Sequence, residues 1–96
     1  MVHYIVLAHF TDQGIKGIQE TTKRAKAFRE LASKMGAEIE KIYWTLGSYD
    51  VVLTMKAPND ETVASLLLKA GSLGNLQSQT LRAFDEQEME KILMSF

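Results

Sequence analysis

The sequence contains no cysteine, which excludes a disulfide framework, a thiolate metal site and a cysteine nucleophile. Its single proline, Pro58, begins a turn, and its six glycines nowhere form GxGxxG, so there is no dinucleotide fingerprint. Charge of one sign is also missing. With 11 basic and 12 acidic residues the net charge is -1, unlike a chain built to coat nucleic acid or cling to anionic lipid. No stretch approaches the ~18 apolar residues of a membrane span. The apolar run from Met1 to Phe10 lacks a basic leader and passes into a polar turn at Thr11 to Gly14, so it does not read as a signal peptide. A cytoplasmic protein without nucleic-acid or membrane partners is expected.

What is present is a globular balance, 46% hydrophobic and 24% charged, over 96 residues. That length predicts one domain, residues 1–96. A chain this small hides only roughly 60–68% of its unfolded surface, so self-association would add useful burial.

The run VHYIVLAHF, Val2 to Phe10, is rich in β-branched and aromatic residues and predicts a first strand. Its even positions are apolar, and its odd ones place His3 and His9 at either end of Ile5 and Leu7. Thr11 reads as a helix cap for a short turn through Ile18. Ala25, Phe28, Leu31, Ala32 and Met35 recur at spacings of three and four and predict a helix over Thr22 to Met35, stopped by Gly36. Strands are expected over Ala37 to Leu46 and Asp50 to Ala57, with Gly47, Ser48 and Tyr49 as the bend. Asn59 or Asp60 caps a second helix through Ala70, apolar on more than one face and expected to be buried on two sides. Leu76 to Phe84 predicts a fourth strand. Asp85 and Glu88 have the form of a capping box for a terminal helix striped by Met89, Ile92, Leu93 and Phe96.

The order βαββαβ followed by a helix predicts, with right-handed crossovers, an α+β ferredoxin-like plait. It has a four-stranded antiparallel sheet with its main helices on one face and an extra C-terminal helix. The other sheet face is left bare, and a second copy of the same sheet would cover it, giving a homodimer or larger assembly.

The hairpin segment TLGSYDVV, Thr45 to Val52, resembles the signature of the GYD domain family. Agreeing pieces are YIVL at Tyr4 to Leu7, Thr11 with Gly14, Ile15 and Ile18, then Gly36, APND at Ala57 to Asp60, and GNLQSQTLRAF at Gly74 to Phe84. The resemblance implies a dimeric α/β barrel, in a superfamily of small monooxygenases, isomerases, dehalogenating enzymes and ligand-sensing modules. It implies no single reaction, since function resides in the site.

Candidate chemistry centres on five residues. Asp50 alternates with Val52, Thr54 and Lys56, which predicts a place on the more polar sheet face, the barrel interior. There it could act as a general base, or else bond backbone donors around the Gly47 turn or pair with a cation. Arg82 shares parity with Ser78, Thr80 and Phe84 and could hold an anionic substrate or Asp50 itself. His9, an imidazole close to a strand end, is a proton-transfer candidate or a surface residue. Trp44 and Tyr49 could line a cavity for a flat ligand, or serve as packing or, for Tyr49, as a fastener of the turn. His3 and His9, six apart on a strand, lie roughly 20 Å apart, too far for one ion, so no metal motif and no cofactor is expected. Six of the eleven basic residues fall between Lys16 and Lys34, which reads as a solvated helix face interrupted by Glu20 and Glu30.

Three functions are therefore expected in turn. The first is a small-molecule binding module with a cavity edged by His9, Trp44, Tyr49, Asp50 and Arg82. The second is a cofactor-independent isomerase or monooxygenase-like enzyme using Asp50 or His9. An accessory or assembly protein with a filled barrel is the third.

Overall fold

Alternation shapes the first strand, β1 (Val2–Phe10): Tyr4, Val6 and Ala8 are buried, while His3, Ile5 and Leu7 on the opposite face are half-buried and His9 is exposed. The computed structural model describes all residues, Met1–Phe96. Thr11 then caps α1 (Asp12–Lys16), its Oγ1 accepting the Gly14 N–H at 3.0 Å. A 3-10 turn (Ile18–Glu20) leads into α2 (Thr21–Lys34), whose Ala32 is wholly buried against the sheet. Gly36, at φ 83°, ends that helix; its left-handed conformation lets Ala37 N–H reach back to the Ala32 carbonyl at 2.9 Å.

Next come β2 (Glu38–Trp44) and β3 (Val51–Ala57), joined by a loop longer than the three-residue bend expected from sequence. Thr45 closes that loop twice, donating its N–H to the Asp50 carbonyl at 2.8 Å and its hydroxyl to the Tyr49 carbonyl at 2.5 Å. Asn59 caps α3 (Asp60–Ser72) by accepting from Thr62 N–H at 2.9 Å. After β4 (Leu76–Ala83), a reciprocal capping box between Asp85 and Glu88 starts α4 (Glu86–Leu93).

The sheet order is β2-β3-β1-β4, antiparallel throughout, the ferredoxin-like plait the element order predicts. Tyr4 stands opposite Met55 and Val6 opposite Leu53, so even residues of β1 and odd residues of β3 face the helices together. Met55 and Leu66 are fully buried at the centre of this core. A bulge between Ile39 and Lys41 shifts the parity of β2. Ile39 faces the core before the bulge, and Ile42 and Trp44 do so after it.

The opposite face is bare, as expected. It carries Ile5, Leu7, Val52 and Leu81 in a row across three strands, with Tyr43 beside them on β2. The expectation of two-sided burial for α3 is not met within one chain. Val63 and Leu66 are buried, whereas Leu68 is 74% exposed beside the open strand β4. The apolar stripe of α4 is likewise uncovered, Leu93 being 51% exposed, and Phe96 beyond the helix is exposed too. No helix is long and apolar enough to cross a membrane.

Candidate functional site

The structure distributes the five candidate side chains over three places. Asp50 precedes β3 and is not part of its alternation. Its Oδ2 accepts the Phe10 N–H at 2.9 Å, and its own N–H donates to the Ala8 carbonyl at 2.9 Å. The carboxylate is therefore spent on the backbone donor that ends β1. His9 and Tyr49 meet on the bare face, ring centroids 4.8 Å apart and planes tilted by 31°, with the Tyr49 hydroxyl 3.4 Å from Gln79 Oε1.

Arg82 lies at the other end of β1, paired across the strands with Tyr4, and does not reach Asp50. It shares the helix-facing side with Ser78 and Thr80, where its guanidinium stacks 4.2 Å over Phe84 and contacts Glu88 at 3.3 Å. The expected pairing of Arg82 with Asp50 fails because Tyr4, beside Arg82, and Ala8, beside Asp50, stand toward opposite ends of β1. Trp44, by its place opposite Val51, points to the helix side and donates Nε1–H to Thr21 Oγ1 at 3.0 Å.

That helix side holds an apolar cavity of about 220 Å³ between the sheet and the pair α2 and α3. Of its 20 lining residues 15 are hydrophobic, so its body is apolar. Val6, Ala8 and Leu53 form the sheet floor, and Phe28, Leu31 and Leu67 form helical walls. Small residues create the space. Ala25 on α2 with Ala70 and Gly71 on α3 stand where larger side chains would close the gap. Of the five candidates only Trp44 lines it. Arg24 is its one charged lining residue, held by Nη1 to the Gly14 carbonyl at 3.5 Å and by Nη2 to the Gly17 carbonyl. The apolar stripe of α2 signalled Phe28 and Leu31 as core. Arg24 was hidden among the helix's other cations, because only its turn toward Gly17 distinguishes it from exposed Lys23 and Lys26.

The rim is fastened by contacts distant in sequence. Asn75 carbonyl accepts the Thr11 N–H at 3.1 Å, and the Gln13 amide donates to Leu73 carbonyl at 2.9 Å and to Asn75 Oδ1 at 3.0 Å. A Cβ on Gly14 would lie 2.1 Å from the Asn75 carbonyl oxygen, so this approach requires glycine.

At the far end, Tyr4 donates its hydroxyl to Asp60 Oδ1. Burial, then the hydrogen bond and negative charge of Asp60, push the Tyr4 hydroxyl from 10.0 up to about 12. His3 gathers with Asp85 and Glu88, ligand atoms within 4.8 Å of one another, a grouping the six-residue spacing of the histidines did not suggest. Glu88 already accepts from Asp85 N–H at 3.1 Å and from Arg82, and the first of these above all holds its carboxyl below the usual glutamate value. Asp85 Oδ1 accepts the Glu88 N–H at 2.8 Å. His3 Nε2 lies 3.5 Å from the other oxygen, Asp85 Oδ2, and 3.7 Å from Glu88 Oε1.

Among solved structures, MtbAldR is similar with a TM-score of 0.68 and 12% identity over 88% of this chain and 54% of its own. The chain thus spans about half the length of MtbAldR. TTHA0845 from Thermus thermophilus is similar with a TM-score of 0.57 and 21% identity, over 88% of this chain and 95% of that one. Both likenesses concern the fold. A search of curated proteins gives no significant match. The GYD domain model matches residues 4–93, which takes in both the Asp50 clasp and the Gly14–Asn75 contact. The chain belongs to the GYD domain family.

Proposed function

We propose that this chain is a small-molecule binding domain, with its ligand between the sheet and α2 and α3. The observation that carries this reading is the apolar cavity of about 220 Å³, kept open by Ala25, Ala70 and Gly71. An apolar cavity of ~150 Å³ holds benzene, so this one has room for a somewhat larger organic body. Its polar lining consists of Thr21, Arg24, Asn75 and Ser78, with no carboxylate or imidazole, which supports binding over proton transfer. Asp50 and His9 lie outside this lining, so the enzymatic alternative has no base at the cavity.

The working unit in this reading is a homodimer in the cytoplasm. Two bare sheet faces packed together would cover Ile5, Leu7, Val52 and Leu81, which remain partly or largely exposed on a single chain. Exposed Leu68 and the α4 stripe supply further apolar surface for such contacts.

Trp44 is the only tryptophan and lines the cavity, so its fluorescence reports occupancy. Titration with a neutral apolar probe, octanamide, is expected to give a saturable change that is lost in Ala70→Leu, where the added side chain fills the space. No saturable change in the wild type, or an undiminished one in a folded Ala70→Leu, contradicts the reading.

A further inference from the structure

We infer that the ligand is an apolar carboxylic acid, its chain or ring in the cavity and its carboxylate on Arg24. This rests on the cavity being the ligand site and adds the charge of what enters it. Arg24 is the only charged residue lining the cavity, and no acidic group lies within ion-pair distance of it. The acid one turn before it, Glu20, is paired with Lys23 at 3.3 Å. Two backbone carbonyls hold the guanidinium in place without neutralising it, and a guanidinium has five N–H donors. A half-buried cation beside apolar walls gains most from an anion that brings a forked acceptor.

Two of the other three polar side chains, Thr21 and Asn75, agree in sign. Thr21 Oγ1 already accepts from Trp44, which leaves its own hydroxyl hydrogen to donate. Asn75 Oδ1 accepts from Gln13, whose Nε2 is identified as the donor because it also bonds the Leu73 carbonyl. The Asn75 amide nitrogen therefore remains as a donor. Arg24, Thr21 and Asn75 together make a donor-rich rim with no competing acid, complementary to a carboxylate and mismatched to an ammonium group. Scaled from the ~150 Å³ that hold benzene, about 220 Å³ takes roughly nine heavy atoms, close to the size of an eight-carbon acid.

Calorimetric titration of the intact chain with octanoate, octanamide and octylammonium at neutral pH tests this. Octanoate should bind roughly tenfold or more tightly than octanamide, and octylammonium more weakly than the amide. In Arg24→Gln the preference for octanoate over octanamide should collapse, and Arg24→Lys should restore part of it. Equal binding of octanoate and octanamide by the wild type overturns the carboxylate assignment and leaves the cavity reading standing. Retention of the preference in a folded Arg24→Gln overturns the role of Arg24. Absence of binding by all three ligands overturns both readings. Should Arg24→Gln fail to fold, the wild-type order of the three ligands decides the matter.

Discussion

Asp50 Oδ2 accepts the backbone N–H of Phe10 at 2.9 Å, so the acid of the family's hairpin signature fastens the start of β3 to the end of β1. Phe10 in turn lines the cavity. The signature residue thus shapes the rim through the backbone, without presenting its carboxylate to the interior.

Asp50→Ala should destabilise the fold by about 1–3 kcal/mol, because the Phe10 N–H loses its acceptor. Asp50→Asn, which keeps an oxygen at that position, should cost less. Chemical denaturation of the two variants measures this order; equal stability of wild type and Asp50→Ala would show that the clasp contributes nothing.

Gly14→Ala tests the second fastening. Its Cβ would meet the Asn75 carbonyl oxygen at 2.1 Å, a backbone atom that can move only by shifting the start of β4. A loss of about 1–3 kcal/mol is expected from such overpacking, with amide shifts at Thr11 and Asn75 in the NMR spectrum. An unperturbed spectrum contradicts the close approach.

Alkaline titration probes the far end. In the folded chain Tyr4 keeps its proton up to about 12, whereas the unfolded chain releases it near 10.0. The stability tied to this group is therefore complete below pH 10.0 and declines as the pH rises toward about 12. Tyrosinate absorbance should show a late component that vanishes in Tyr4→Phe, together with that part of the decline in stability. A late component that persists in the variant belongs to another tyrosine and refutes the assignment.

Leu7→Arg places a charge at the middle of the bare face, opposite Val52. Sedimentation should find the wild type as a dimer and the variant at the mass of one chain, 10.8 kDa. A wild-type monomer at all concentrations tested contradicts the proposed pairing of sheets.

Much of the fold was legible because its signals are local. Thr11, Asn59 and the Asp85–Glu88 box each cap the helix that their spacing predicts. Even-numbered residues of β1 form the buried face, as the alternation requires. The core-facing side of β2 is not legible in the sequence for a physical reason: the bulge after Ile39 switches the core-facing positions from odd to even, so neither parity reads as apolar throughout. Asp50 escaped the alternation of β3 because strand pairing begins only at Val51. The candidate site was less legible. A cavity is a matter of what two helices leave unfilled: Ala25 reads in sequence as part of one helix's apolar stripe, Ala70 as the end of the next helix and Gly71 as the loop beyond it. Arg24 gains its place from contacts with Gly14 and Gly17 carbonyls, which no spacing reveals.

The central claim is that ligand enters between the sheet and the helices, and not at the hairpin or on the bare face. Methyl-resolved NMR of the labelled chain during octanoate titration separates these surfaces directly. The account predicts shifts at Val6, Leu31, Leu53, Leu67 and Leu73, which line the cavity, larger than any at Ile5, Leu7, Val52 or Leu81 on the opposite face. Shifts confined to the latter group, or none at saturating octanoate, would contradict it.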